Sequence, residues 1–273
     1  MTQYFQLTLD TTVPSSGILS GLSSYYNGNA TVTISADGAS FMKVWTNQTA
    51  AGTSSDAEIP SSWEAYNTSK TVSFTGQGTQ YVHAMFMDNV GNIGPVVNSA
   101  ATVYDTVAPS ISSVSINSGD GYTKTTSNTV RVSFSDATSG VDYVTLSGND
   151  IASAERINYT LTDADRTAGY KDITITLTGA AQSGSDGTKT VTATVTDRAG
   201  NISASSSDTI ILDTTAATGT LVLRDENDSA NLAAYVNDRD YIAKIITEDT
   251  DITGYKIWEG DTEPSGWTAF SMS

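Results

Sequence analysis

The 273-residue sequence contains no cysteine and only one histidine, His83. Without cysteine there is no disulfide, no zinc–thiolate site and no thiol nucleophile. Without a second histidine there is no histidine relay and no multi-histidine metal site. The sequence also lacks a Gly-x-Ser-x-Gly nucleophile elbow and a phosphate-cradling glycine loop. We therefore expect that the protein is not an enzyme and requires no cofactor.

Basic residues and long apolar runs are also scarce. Thirteen Lys and Arg residues face thirty Asp and Glu residues, which gives a net charge of −17. A field of that sign repels nucleic-acid phosphates and anionic lipids, so we expect no nucleic-acid partner. No segment approaches the ~20 apolar residues of a membrane span, so we expect no membrane insertion. The first residues lack the pattern of a secretory signal, so we expect synthesis in the cytoplasm without export by an N-terminal signal.

The residues that are abundant favour β-structure. Thr, Ser, Asn, Asp and Gly fill much of the chain, and Thr, Val, Ile and Tyr suit a pleated, half-buried surface. Few Leu, Glu and Lys residues argue against long helices. The composition predicts an all-β protein.

Two sequence markers recur and keep their mutual spacing. The first is an Asp-Thr hinge that begins at Asp10, Asp105 and Asp213, at intervals of 95 and 108 residues. The second is Asp-x-x-Gly-Asn, which begins at Asp88 and returns at Asp197, 109 residues later. The second marker precedes the next hinge by 17 residues in one case and 16 in the other. Paired markers at a fixed spacing indicate tandem repeats.

The second marker predicts a hairpin turn after an amphipathic strand. Its residues are Asp88, Gly91 and Asn92, and then Asp197, Gly200 and Asn201. Gly supplies a positive φ angle, and the Asp or Asn side chain closes the turn on its own backbone. In the preceding strand, alternation places Val82, Ala84 and Phe86 inward and His83 outward, in solvent.

Short strands and turn signals over ~100 residues predict tandem immunoglobulin-like β-sandwich modules. We expect an N-terminal strand and hinge at 1–14, module one at 15–105, module two at 106–213 and an incomplete module three at 214–273. Module spacing places the last two strands of module three beyond Ser273.

The turn followed by an Asp-Thr-x-Ala-Pro hinge resembles the bacterial immunoglobulin-like repeats, which occur in tandem in large adhesins and in tailed-phage virion proteins. Asp88 to Asn92, Asp197 to Asn201 and the three hinges carry this resemblance, although Ala217 replaces the hinge proline at the third. The resemblance implies a spacer, a surface decoration or a binder of carbohydrate or cell surfaces.

Our first functional hypothesis is a structural or adhesive surface protein of a tailed-phage virion, in a tail, baseplate or capsid-decorating fibre that displays a host-binding end. Its partners would be other virion proteins, a host-cell surface glycan or protein, and copies of itself as a homo-oligomer. The residues predicted to dock on the virion are Tyr4, Phe5, Leu7 and Leu9. The alternative is a repeat region of a bacterial surface adhesin exported by a C-terminal signal. A carbohydrate-binding accessory to an enzyme is a third.

Calcium is the one cofactor that the sequence suggests. Hard cations need several oxygen ligands, and loop aspartates near the hinges could converge where modules meet. The candidates are Asp105, Asp136, Asp197 and Asp213. The alternative is that these aspartates cap turns by hydrogen bonds to the backbone.

The tryptophans have two interpretations as well. They occur at matching positions of modules one and three, either as packing residues or as a platform on which sugars stack. They are Trp45, Trp63, Trp258 and Trp267.

Overall fold

The computed structural model describes residues 8–53, 55–178, 185–225, 228–232, 241–248, 252–258 and 262–269. Its residues form two compact units, Met1–Asp213 and Thr214–Ser273. The first unit holds two successive two-sheet sandwiches, which are called module one and module two below. Among the described residues, no helix is long and apolar enough to cross a membrane.

Module one contains two sheets. Its strands are β1 (Ser15–Ser20), β2 (Tyr25–Tyr26), β3 (Ala30–Asp37), β4 (Phe41–Asn47), β5 (Glu64–Ala65), β6 (Ser69–Val72), β7 (Gly78–Met87), β8 (Val97–Asn98) and β9 (Thr102–Tyr104). One sheet has the order β1-β3-β6. The other has the order β2-β9-β7-β4-β5, and β8 also pairs with β7.

Module two repeats this plan. Its strands are β10 (Ser110–Ile116), β11 (Tyr122–Thr123), β12 (Ser127–Ser135), β13 (Val141–Ser147), β14 (Asn158–Thr160), β15 (Tyr170–Thr176), β16 (Gly187–Asp197) and β17 (Ser206–Leu212). The sheets have the orders β10-β12-β15 and β11-β17-β16-β13-β14. Two short 3₁₀ helices, Asn117–Gly119 and Ser153–Glu155, and one α-helix, α1 (Asp163–Ala168), lie in its connections.

Both modules are immunoglobulin-like sandwiches. In each one the chain starts in the smaller sheet and crosses to the larger, where β2 pairs in parallel with β9 and β11 with β17. All other pairings in these modules are antiparallel. The all-β prediction and the tandem immunoglobulin-like architecture are confirmed.

Alternating side chains form the cores between the sheets. Along β12, Val130, Val132 and Phe134 point inward and are buried, whereas the intervening Arg131 is exposed. Module one has its own buried cluster, which includes Val32, Val82, Ala84 and Phe86. Because successive residues of a strand face opposite sides, this period of two is sufficient to place the inward residues. The inward positions predicted for Val82, Ala84 and Phe86 are confirmed.

The described residues of the second unit form two small sheets. Its strands are β18 (Thr220–Asp225), β19 (Asp228–Leu232), β20 (Tyr241–Ile246), β21 (Gly254–Tyr255) and β22 (Thr268–Ala269). The sheets have the orders β19-β18-β20 and β21-β22. Lys256 lies 4.9 Å from the Trp267 ring centroid, just as Lys43 lies 5.2 Å from that of Trp63 in module one.

Helix α1 is closed at its N-terminus by a capping box. The Thr162 hydroxyl accepts a hydrogen bond from the Asp165 N–H at 3.2 Å, and the Asp165 carboxylate accepts one from the Thr162 N–H at 2.8 Å. Lys171 also donates to Asp165 at 3.0 Å. Hydrogen bonds from Thr162 and Lys171 lower the pKa of Asp165 from 3.8 to about 2.

This cap predicts a pH-dependent stability. Because the pKa of Asp165 is lower in the folded protein than in the unfolded chain, its contribution is present above about pH 4. This contribution to stability is lost as the pH falls towards the pKa of Asp165 in the folded protein. Asp165→Ala is expected to cost about 1 kcal/mol near pH 6, and the cost should shrink towards pH 2. Thermal melts across this range test it. Asp163→Ala is the control, because the Asp163 side chain is 96% exposed, makes only surface ion pairs with Arg166 and Arg198 among the described residues and takes no part in the capping box.

Candidate metal-binding junction

The junction between modules one and two begins at Asp105, directly after β9. Its N–H donates to the Tyr26 carbonyl at 2.8 Å, and its side chain is fully buried. One carboxylate oxygen accepts from the Val107 N–H at 2.9 Å, which turns the chain towards β10. The other accepts from the Ser139 N–H of module two at 3.0 Å. The backbone of Asp105 therefore extends a strand of module one, while its carboxylate contacts module two.

Asp197 ends β16 and closes the turn that follows. It is 2% exposed and accepts from the Asn201 N–H at 2.9 Å and from the Asn201 side-chain amide at 2.8 Å. Gly200 has φ +93°, a conformation that a side chain would strain. These contacts hold the Asp197 carboxylate at the end of module two that faces Asp105.

The equivalent turn of module one is built in the same way. Asp88 accepts from the N–H groups of Val90, Gly91 and Asn92 at 2.8–2.9 Å and from the Asn92 side chain at 2.8 Å. Gly91 has φ +101°. Burial works to raise the pKa of Asp88, but the hydrogen bonds from Asn92, Val90 and Gly91 outweigh it and keep the pKa below its ordinary value. The carboxylate of this turn thus stays charged.

A third carboxylate reaches the junction from the loop between β12 and β13. Asp136 accepts from the N–H groups of Thr138 and Gly140 at 3.1 and 2.6 Å. Both bonds go to the same oxygen, Oδ1, and among the described residues no hydrogen bond is made to Oδ2. The second oxygen is therefore available to another ligand.

Asp105, Asp136 and Asp197 lie together, with one carboxylate oxygen of each within 4.8 Å of the others. Two carboxylates ~4.8 Å apart repel by about 3 kcal/mol at an effective dielectric constant of ~20. Within the part of the chain that the structure describes, no salt bridge reaches any of the three. Three buried or half-buried negative charges so close together fit a divalent cation.

Ser139 adds a further oxygen beside this group. Its side chain is 4% exposed, and its buried hydroxyl has no hydrogen-bond partner among the residues that the structure describes. Its backbone N–H is already bonded to Asp105. An orphaned buried hydroxyl costs free energy unless something satisfies it. Two ligands of one calcium ion, each ~2.4 Å from it, can be at most about 4.8 Å apart, so the donor set suits this ion.

The junction also carries direct contacts between the modules. The Asn201 amide donates to the Asp105 carbonyl at 2.8 Å. Arg198 donates to the Tyr25 hydroxyl at 3.1 Å and lies 5.7 Å from the centroid of that ring. Sequence reasoning missed Ser139 and Tyr25 because they lie outside both repeated markers. It missed Arg198 because this residue occupies a variable position of the second marker, where the first copy has Asn89.

The other predicted residues lie elsewhere. Asp213 is not part of this group. Its N–H donates to the Thr123 carbonyl at 2.9 Å, at the opposite end of module two. Leu9 is 86% exposed, and the other three predicted docking residues, Tyr4, Phe5 and Leu7, lie outside the described residues.

The prediction that His83 lies in solvent is wrong. It is 0% exposed, and Trp45 beside it is 4% exposed. The prediction was wrong because the connection from β4 to β5 folds over the outer face of the larger sheet and buries residues that point away from the core. Trp45 therefore packs inside module one and offers no platform for a sugar, whereas Trp258 and Trp267 are 49% and 73% exposed.

No protein-family model and no curated protein matches the sequence. Among solved structures, the chain is similar to fibronectin(III)-like modules of Clostridium thermocellum CbhA, with 10% identity over 69% of this chain and 87% of that one, and a TM-score of 0.35. It is also similar to a bacterial ice-binding adhesin, with 17% identity over 74% of this chain and 64% of that one, and a TM-score of 0.34. For the D00-D0 domain of intimin the identity is 12%, the coverages are 70% and 95%, and the TM-score is 0.25. Likenesses this distant carry no information about function.

Proposed function

We propose that this protein is a non-enzymatic structural or adhesive surface protein, in which immunoglobulin-like modules act as a spacer and a calcium ion fixes the junction between modules one and two. The observation that carries this proposal is the convergence of Asp105, Asp136 and Asp197 within 4.8 Å. Asp105 comes from the end of module one, and the other two come from module two. A cation bound by all three joins the modules and resists bending between them.

Calcium suits these ligands better than a transition metal does. All the candidate donors are oxygens, because the chain has no cysteine and its one histidine lies within module one. Calcium takes six to eight oxygen ligands in flexible geometry, so water and backbone carbonyls can complete a site built on three carboxylates. The Ser139 hydroxyl is a further candidate ligand.

The test compares the full chain in millimolar calcium and in excess chelator. We expect calcium to raise the melting temperature and to narrow the range of inter-module angles seen by small-angle X-ray scattering. Stabilisation by a ligand at 100 times its Kd amounts to about 2.7 kcal/mol. Asp136→Asn should remove most of this response, since it keeps the oxygen that holds the loop but removes the charge.

The matched control is Asp37→Asn. Asp37 ends β3, the strand of module one that corresponds to β12, and it is exposed and outside the group of three. This variant should respond to calcium as the wild type does. An equal melting temperature of the wild type in calcium and in chelator would contradict the proposal.

For the placement of the spacer we propose the surface of a tailed-phage particle, where the N-terminal segment with the exposed Leu9 docks on other virion proteins. The distal part would then contact a host-cell glycan or protein. A bacterial cell-surface adhesin is the alternative, and the modules themselves are compatible with both. Immunogold labelling of a lysate of the source culture separates the two, since gold marks particles in one case and cell envelopes in the other.

A further inference from the structure

A buried polar cluster lies on the outer face of the larger sheet of module one, on the side away from the core. His83 on β7 stands beside Trp45 on β4, with their ring centroids 5.5 Å apart. The described residues of the connection from β4 to β5, 48–53 and 55–63, are called the cover loop below and lie over both side chains. Gly52 of this loop is so close that a Cβ atom on it would be 2.6 Å from Cγ and Nδ1 of His83.

Both ring nitrogens of His83 face amide oxygens. Nδ1 is 2.7 Å from Oδ1 of Asn98, and Nε2 is 2.8 Å from Oδ1 of Asn47. Each of these two oxygens also accepts a backbone N–H from the cover loop. Asn98 accepts from Gly52 at 3.1 Å, and Asn47 accepts from Thr49 at 2.9 Å.

These loop contacts determine which way each amide points. If Asn98 were turned over, its NH₂ group would face the Gly52 N–H, and one donor would oppose another. If Asn47 were turned over, it would lose the Thr49 bond. Its carbonyl oxygen would then face the Asp56 carboxylate, to which its NH₂ group now donates at 3.2 Å. Both amide oxygens therefore face the imidazole ring.

A neutral imidazole has only one N–H and one acceptor nitrogen, whereas an imidazolium has two donors. An amide oxygen can only accept. We infer that His83 is buried as the imidazolium cation, and that its two N–H groups fasten the cover loop to the sheet through Asn98 and Asn47.

The surroundings supply a counter-charge. Asp56 of the cover loop accepts from the Trp45 indole N–H at 3.0 Å and from both the backbone and the hydroxyl of Thr53 at 3.1 and 2.7 Å. Hydrogen bonds from Thr53 and Trp45 lower the pKa of Asp56, and the charge of His83 adds to this effect. Asp56 is thus an anion on the loop side of the ring.

A second titratable side chain at the ring is Tyr81 of β7, whose ring is stacked on His83 with a centroid distance of 6.4 Å. Asp56 therefore approaches His83 from the loop and Tyr81 approaches it from the sheet. Lys43, two residues before Trp45 on β4, donates to the Ser61 carbonyl of the same loop at 3.3 Å. Loss of the proton on His83 would leave a ring nitrogen facing an amide oxygen, with no hydrogen bond between them. The attachment of the loop therefore depends on the second ring proton.

Nuclear magnetic resonance of the full chain labelled with ¹⁵N-histidine tests this inference directly, because the chain has one histidine. We expect a proton on both ring nitrogens of the folded protein at pH 7, because both nitrogens face amide oxygens. The Gly52 and Thr49 amides should be protected from exchange in the same conditions. Raising the pH should remove one ring proton. The exchange rates of both amides should then rise together, by roughly tenfold beyond the intrinsic effect of pH on exchange.

Two variants complete the experiment. His83→Gln offers only one donor group, so we expect the roughly tenfold faster exchange of Gly52 already at pH 7. Asn98→Asp keeps the acceptor for Gly52 and adds a negative charge, so it should move the release of the loop to higher pH. A single ring proton at pH 7, or Gly52 exchange that does not follow the ring proton, would overturn the inference. Release of the cover loop at a lower pH in Asn98→Asp than in the wild type would also overturn the inference.

Discussion

Replacing Leu146 with alanine is expected to lower the free energy of unfolding of module two by about 2–5 kcal/mol. Leu146 lies on β13, is 1% exposed and belongs to the core cluster of this module. The alanine leaves a cavity that the two sheets cannot close completely. The useful question is whether the loss stays in module two or spreads through the junction to module one.

The tryptophans make this question measurable. Module two has none, and Trp45 of module one is buried, whereas Trp258 and Trp267 are already substantially exposed. The fluorescence change on unfolding therefore reports mainly on module one, and far-ultraviolet circular dichroism reports on all strands. In chelator, Leu146→Ala should shift part of the dichroism transition to lower temperature and leave the fluorescence transition in place. In calcium both should shift, because the ligands come from both modules.

The control is Ile157→Ala, an apolar residue of module two that is 50% exposed, which should change stability by less than about 0.5 kcal/mol. If the fluorescence transition followed the dichroism transition in chelator as well, direct contacts such as Arg198 with Tyr25 would already couple the modules. The cation would then not be required for the coupling. If the fluorescence transition stayed in place in calcium while the dichroism transition shifted, the junction would not transmit stability between the modules.

The fold could be predicted from the sequence because its signals are local. Alternation along β7 gives the inward side of Val82, Ala84 and Phe86, and paired markers give the repeat. The burial of His83 could not be predicted in this way. An outward residue of a strand is exposed only if no connection crosses that face, and nothing in the alternation of β7 indicates where the cover loop lies.

The candidate site could be predicted in part. Loop aspartates were expected to gather near a hinge, and Asp105, Asp136 and Asp197 do so, while Asp213 does not. The physical reason lies in β16, which runs from Gly187 to Asp197. Leu212 pairs with Gly187, so Asp213 follows at the end of the module opposite to Asp197. At ~3.3 Å per residue, an eleven-residue strand separates these ends by about 30 Å.

Asp197→Ala has the second large expected effect, because this carboxylate does two things at once. It accepts two hydrogen bonds from Asn201, and its loss leaves those donors without partners at a cost of about 2–3 kcal/mol to module two. It is also one of the three carboxylates at the junction, so calcium affinity should fall by more than about tenfold. Urea unfolding measures the first effect, and calorimetric titration with calcium measures the second.

Asp88→Ala separates these two roles. Asp88 closes the same turn in module one, but it does not belong to the group of three carboxylates. The variant should therefore destabilise module one and leave calcium binding intact, as monitored by the same titration. If Asp197→Ala bound calcium as tightly as Asp88→Ala does, the aspartate would act only in the turn, and the cluster would be a by-product of two neighbouring loops. If calcium affinity fell in Asp197→Ala but not in Asp88→Ala, the turn at Asp197 would also supply the link between the modules.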